Sequence, residues 1–165
     1  GAERRIRQIA QLLGKVEAGE ALIARFREAL REVADAVAKR KKRPRVLFIL
    51  AGGKRPLIVA GRGTSVAALL ELAGAANVAG ELDGWKPLSQ EAMVAAAPEF
   101  ILTNRDGLTP TADGTPIALK APGAAATPAA REGRLVHIAD RYLGGIGIHT
   151  PEGLRLLLRE LDLPR

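Results

Sequence analysis

Residues 57–102 read LIVAGRGTSVAALLELAGAANVAGELDGWKPLSQEAMVAAAPEFIL. Leu57 to Ala60 is a short apolar strand, and Gly61-Arg62-Gly63 turns the chain. Thr64 or Ser65 caps a helix, SVAALLELAG, that Gly74 stops. Ser89, with Glu91 in the first turn, starts another helix, and Phe100 to Leu102 forms a buried strand after Pro98-Glu99. Working outward, Val46 to Leu50 (VLFIL) is a continuous apolar run, as expected of a strand covered on both faces. Leu135 to Ala139 is a further strand, and Thr150-Pro151 opens a final helix. Strands separated by helices predict an α/β, three-layer αβα lobe with a mostly parallel central sheet.

Ahead of the lobe, Ile6, Ile9, Leu12 and Leu13 recur at helical spacing before Gly14, giving a short amphipathic helix. From Val16 the apolar positions Leu22, Ile23, Phe26, Leu30, Val33 and Val37 continue every three or four residues. They predict a long N-terminal helix of about seven turns to near Lys42, ended by Pro44. The chain thus divides into 1–44, a short helix plus a long one, and 45–165, the α/β lobe. Residues 107–133, rich in Pro, Gly, Ala and Thr, read as loop with one or two short helical turns.

Of the 165 residues, 47% are apolar but only 3% aromatic, so the core is built from Ala, Leu, Val and Ile. The absence of Cys removes disulfides and thiolate metal sites. No stretch approaches the ~20 apolar residues of a membrane span. The net charge of +7 is local: residues 1–45 hold 13 Lys/Arg and 6 Asp/Glu, whereas residues 46–165 hold 12 of each. Six of those cations crowd into Lys39 to Arg45 (KRKKRPR). A solvated helix end explains the run, because cations complement the dipole and cap the last carbonyls. No stacking aromatics accompany it, so neither nucleic acid nor membrane insertion is expected.

The glycine turns at residues 51–56 and 60–64 fit neither GxxxxGK[ST] nor GxGxxG. There is no HExxH, no Ser-His-Asp signature and no carboxylate cluster at metal-ligand spacing, so an enzyme is not expected. The chain's sole Trp, Trp85, sits in Gly84-Trp85-Lys86-Pro87, where it either packs or offers its indole to a ligand. His137 lies in a strand and has a structural or solvent-facing role, while His149 lies in a glycine-rich loop, YLGGIGIHTP.

Essentially the whole chain resembles the C-terminal lobe, with its bridging helix, of the class III periplasmic substrate-binding proteins of ABC importers, above all the haem-binding branch. The likeness is strongest over residues 46–102 and 121–162 and weakest over residues 108–120. It implies that the long helix bridges two lobes, that the first lobe is missing and the present lobe truncated, and that the protein is periplasmic. It implies capture of haem as a transported ligand and handover to an ABC permease for iron uptake. The alternatives are a cobalamin or ferric-siderophore lobe of the same fold, or a non-binding scaffold or dimerisation fragment. In the family the loop after the first strand of this lobe lines the cleft, which carries over to Gly52, Gly53 and Arg55. An aromatic at the place of Trp85 sits beside that cleft. Haem propionates would find partners in Arg55, Arg62, Lys86, Arg105 and Arg141, all expected in loops. Either His149 or Tyr142 is a candidate axial ligand for haem iron; an arginine commonly stands where His149 does, and the family's usual tyrosine ligand belongs to the first lobe. Glu91 matches a glutamate that pairs with permease arginines. One exposed cleft wall and the stripe of the long helix would favour a homodimer.

Overall fold

The computed structural model describes residues 1–51 and 58–162. Two helices, α1 (Ala2–Leu12) and α2 (Val16–Ala38), precede the strands β1 (Arg45–Leu50) and β2 (Ile58–Ala60). Helix α3 (Ser65–Leu72), the two-residue strands β3 (Ala76–Asn77) and β4 (Trp85–Lys86), α4 (Gln90–Ala96) and β5 (Phe100–Thr103) follow. The chain ends with α5 (Pro128–Arg131), β6 (Leu135–His137) and α6 (Thr150–Asp162). Among the described residues the sheet runs β4-β2-β1-β5-β6, with β3 beside β1.

Strands β1, β3, β5 and β6 are parallel. Strand β2 is antiparallel to β1, with Ile49 opposite Val59, because the seven residues between them are too few for the crossover that parallel neighbours need. Side chains alternate across the sheet. Phe48, Leu102 and Val136 meet Val33, Leu69 and Leu154 from α2, α3 and α6 on one face. Leu47, Ile49 and Ile101 meet Met93, Ala118 and Ala129 on the other. Both faces of β1 are therefore covered, which is why its sequence shows no alternation. The result is the three-layer αβα arrangement expected.

Several boundaries differ from the sequence reading. Helix α2 has 23 residues, about 35 Å, and stops at Ala38 rather than near Lys42. There the chain turns because Arg40 folds back, donating to the Ala73 carbonyl at 2.7 Å and the Leu158 carbonyl at 3.0 Å. The last strand ends at His137 instead of Ala139. Residues 107–133 hold more helical turns than expected: 3-10 turns at Ile117–Lys120 and Ala124–Ala126, plus α5. Thr64 caps α3 by accepting from the Ala67 N–H, and Gly74 follows at φ +67°.

Helix α1 lies antiparallel on α2 at close range: a Cβ on Gly19 would stand 2.4 Å from Ala10 Cβ. Two bidentate pairs, Arg7 with Glu20 and Arg27 with Glu3, flank the crossing.

Candidate ligand-binding face

Because β1, β5 and β6 are parallel and adjacent, their carboxyl ends share one edge of the sheet. In open α/β sheets ligands bind outside that edge. Asn104, directly after β5 and buried, ties the edge together. Its Oδ1 accepts from the Ala51 N–H at 3.1 Å and its Nδ2 donates to the Ala51 carbonyl at 2.8 Å, so the chain leaving β1 is held against β5. The Thr103 hydroxyl donates to the Ile49 carbonyl at 2.8 Å and makes a second rung. The following 3-10 turn, Arg105–Leu108, presses Gly107 so closely on Thr103 that a Cβ would sit 1.8 Å from Oγ1. Only glycine fits there, and the turn carries Arg105 outward, exposed.

The turn Asp140–Tyr142 follows β6 and places Arg141 at the same edge. The Arg141 guanidinium donates to the Tyr142 hydroxyl at 2.8 Å and lies 3.5 Å from Glu152 Oε1. Glu152 Oε2 in turn stands 3.8 Å from His149 Nδ1. The Tyr142 hydroxyl, with Arg141 and His149 nearby, holds the Glu152 carboxyl below its usual range. Tyr142 is only 6% exposed, with its ring against Gly153, where a Cβ would sit 2.9 Å away, and its hydroxyl is engaged by Arg141. The His149 imidazole, by contrast, is 56% exposed just ahead of α6. His137 is exposed on the edge strand.

Trp85 stands at the other edge of the sheet, on β4 beside Ala60. It does two things at once: one side meets Phe48 edge-on at 5.8 Å between centroids, while 39% of the residue faces solvent. Lys86, next along β4, is exposed. Arg62 is exposed but paired with Asp83 at 2.9 Å. From β4 to β6 is four strand spacings, about 19 Å. Trp85 and Lys86 therefore lie well apart from Arg105 and Arg141, in a row rather than a cluster. Gly52, Gly53 and Arg55 lie outside the described residues.

Glu91 occupies the first turn of α4, capped by Ser89, whose Oγ accepts from the Ala92 N–H at 3.1 Å. Strand β4 runs parallel to β1 and α4 returns to start β5, which puts the N-terminus of α4 at the carboxyl edge as well. The Glu91 carboxyl is exposed and held below its usual range by its own backbone N–H and by Ser89. Asn104 escaped the sequence reading, since an Asn after a strand is ordinary; its only trace is the polar residue closing the buried run FILT.

The same chain geometry recurs in solved structures. Periplasmic haem-binding protein RhuT from Roseiflexus sp. RS-1, in apo form, is 33% identical with a TM-score of 0.86, over 98% of this chain and 63% of its own. Periplasmic haem-binding protein BhuT, in complex with two haems, is 37% identical with a TM-score of 0.85, over 97% of this chain and 61% of its own. A periplasmic haem-binding protein from Pseudomonas aeruginosa is 34% identical with a TM-score of 0.82, over 99% of this chain and 60% of its own. The chain thus spans about three-fifths of the length of these relatives. No curated protein sequence matches. A family model described as periplasmic binding protein matches residues 1–142. The chain belongs to the periplasmic binding protein family.

Proposed function

We propose that this lobe captures haem as a transported ligand and serves an ABC permease in iron uptake, in the periplasm, by binding and not by catalysis. The observation that carries this reading is the likeness at 33–37% identity to three haem-binding periplasmic proteins over nearly the whole chain. The arrangement of the edge supports it. A flat ligand of porphyrin size laid along this row would reach from one end of it towards the other, whereas a small solute would meet only one end. The exposed side of the indole offers apolar contact to a porphyrin face, and Lys86, Arg105 and Arg141 supply cations for carboxylates. His149 offers the open imidazole for iron; Tyr142 does not. The ferric-siderophore alternative is weaker, because the ferric-hydroxamate transport structure is 18% identical and speaks for the fold alone.

Titration of the purified chain with haemin, followed at the Soret band and by quenching of the single tryptophan, tests the proposal. A saturable Soret shift is expected, and His149→Ala should change its position or weaken binding about tenfold or more, as loss of an iron ligand does. A folded sample that leaves the free-haemin spectrum unaltered would sink the idea that this lobe binds haem by itself. Light scattering on the apo and loaded samples reads whether the expected homodimer forms.

A further inference from the structure

The opposite end of the sheet carries the positive charge. Helices α2, α3, α4 and α6 all finish there, beside the amino ends of β1 and β5. Their terminal carbonyls draw in the arginines of residues 39–45. Arg40, whose side chain is 9% exposed, binds the Ala73 and Leu158 carbonyls and Asp162; Arg43 reaches the Ala75 carbonyl at 3.3 Å; Arg45 reaches the Ala96 carbonyl. Of the nearby acids, Asp162 is engaged by Arg40 and Glu99 by the Arg45 backbone N–H, while Asp35 is exposed one turn before Lys39. What remains is a surplus. Lys39, Lys41 and Lys42 are exposed with no ion pair among the described residues, on the rim of a depression of about 570 Å³ floored by Pro44, Phe100 and Leu161.

We infer that this face, through Lys39, Lys41 and Lys42, docks on the surface of an anionic lipid bilayer. The arginines hold the segment in place as caps, so three ammonium groups are presented together, and clustered cations of this density are drawn to anionic headgroups. Lysine, a compact and strongly hydrated charge, suits such loose contact. Nucleic acid fits less well. The depression's aromatic, Phe100, is only 7% exposed beneath the Arg134 guanidinium, so no ring is available for base stacking. Docking at this end is peripheral; no described helix is long and apolar enough to cross a membrane. A chain held on lipid by this end turns the strand-carboxyl edge, with Arg141 and Glu91, away from that bilayer, so it must leave the lipid before that edge can meet a permease in the same membrane.

The test is co-sedimentation with phosphatidylcholine vesicles, with and without phosphatidylglycerol, at low and high salt. Binding is expected only to the anionic vesicles and only at low salt. K39Q/K41Q/K42Q should weaken it about fivefold per lysine and about a hundredfold in all. A second triple variant, R4Q/K15Q/R25Q, removes the same net charge from exposed cations on α1, α2 and the turn between them that have no ion pair among the described residues, and should retain most of the binding. Equal loss in both variants would mean that net charge and not this face is responsible. The inference is also overturned by failure to sediment at low salt, by displacement with inorganic phosphate at low concentration, or by retention on duplex DNA but not on vesicles.

Discussion

At the scale of single residues, the carboxyl edge of the sheet is held together by buried side chains. Asn104 answers both polar groups of Ala51, an alanine that is itself 2% exposed. Asn104→Ala leaves a buried N–H and C=O unpaired, at about 1–3 kcal/mol for each group left unsatisfied. Urea unfolding should therefore show a loss of about 2 kcal/mol or more with an unchanged slope. Asn104→Asp is the sharper variant: it keeps the acceptor for the N–H but sets a carboxylate oxygen against the Ala51 carbonyl. It should be no more stable than the alanine variant, and an aspartate variant as stable as the parent would refute the clamp. Tyr142 and Gly153 make a similar pair, since the ring occupies the space that a side chain at Gly153 would need.

Among the elements, those with a strong local pattern were legible in the sequence. VLFIL and FILT form buried strands because continuous apolar runs bounded by polar residues have few other uses. Thr64, Gly74 and Ser89 mark helix ends because their caps are local chemistry. The direction of β2 was also readable, from a connection too short for a crossover, although the strand pattern drew attention to the helices instead. Strands β3 and β4, two residues each, carry no periodicity, and the alanine-rich turns between Ile117 and Ala126 are shaped by the sheet face they cover rather than by propensity. Of the candidate site, the cations after β5 and β6 could be placed by position, but the burial of Tyr142 could not, because a glycine eleven residues later makes its room.

The α1–α2 pair also gives a pH prediction. Hydrogen bonds from Arg27 and Arg7 hold the Glu3 and Glu20 carboxyls below their usual 4.5. Protonation thus costs the docked helices more than the undocked ones. The contribution is full above pH 4.5 and is lost as pH falls through the lowered values. Amide exchange in α1, corrected for its intrinsic pH dependence, should accelerate below that point while β1 stays protected. In E3Q/E20Q it should be fast already at neutral pH. Exchange that rises equally in α1 and β1 would place the acid sensitivity elsewhere.

For the molecule as a whole, the two ends of the sheet carry different chemistry, and Glu91 belongs to the end with the candidate ligand row. Among the described residues its carboxylate has only local backbone and Ser89 partners, at the start of a helix where a negative charge is favoured. It is secured as an anion at neutral pH and remains exposed, which is what a docking charge requires. The fold does not depend on it, because Ser89 supplies the cap to Ala92. Glu91→Gln should therefore leave the unfolding midpoint and haemin titration unchanged while slowing delivery to the permease, read as the initial rate of haem uptake by proteoliposomes carrying that permease. Glu91→Lys, which would set like charge against the permease arginines that the family resemblance implies, should slow it further. Uptake that is unchanged in both variants would remove Glu91 from the docking surface; a parallel loss of haemin binding would mean that it shapes the ligand face instead.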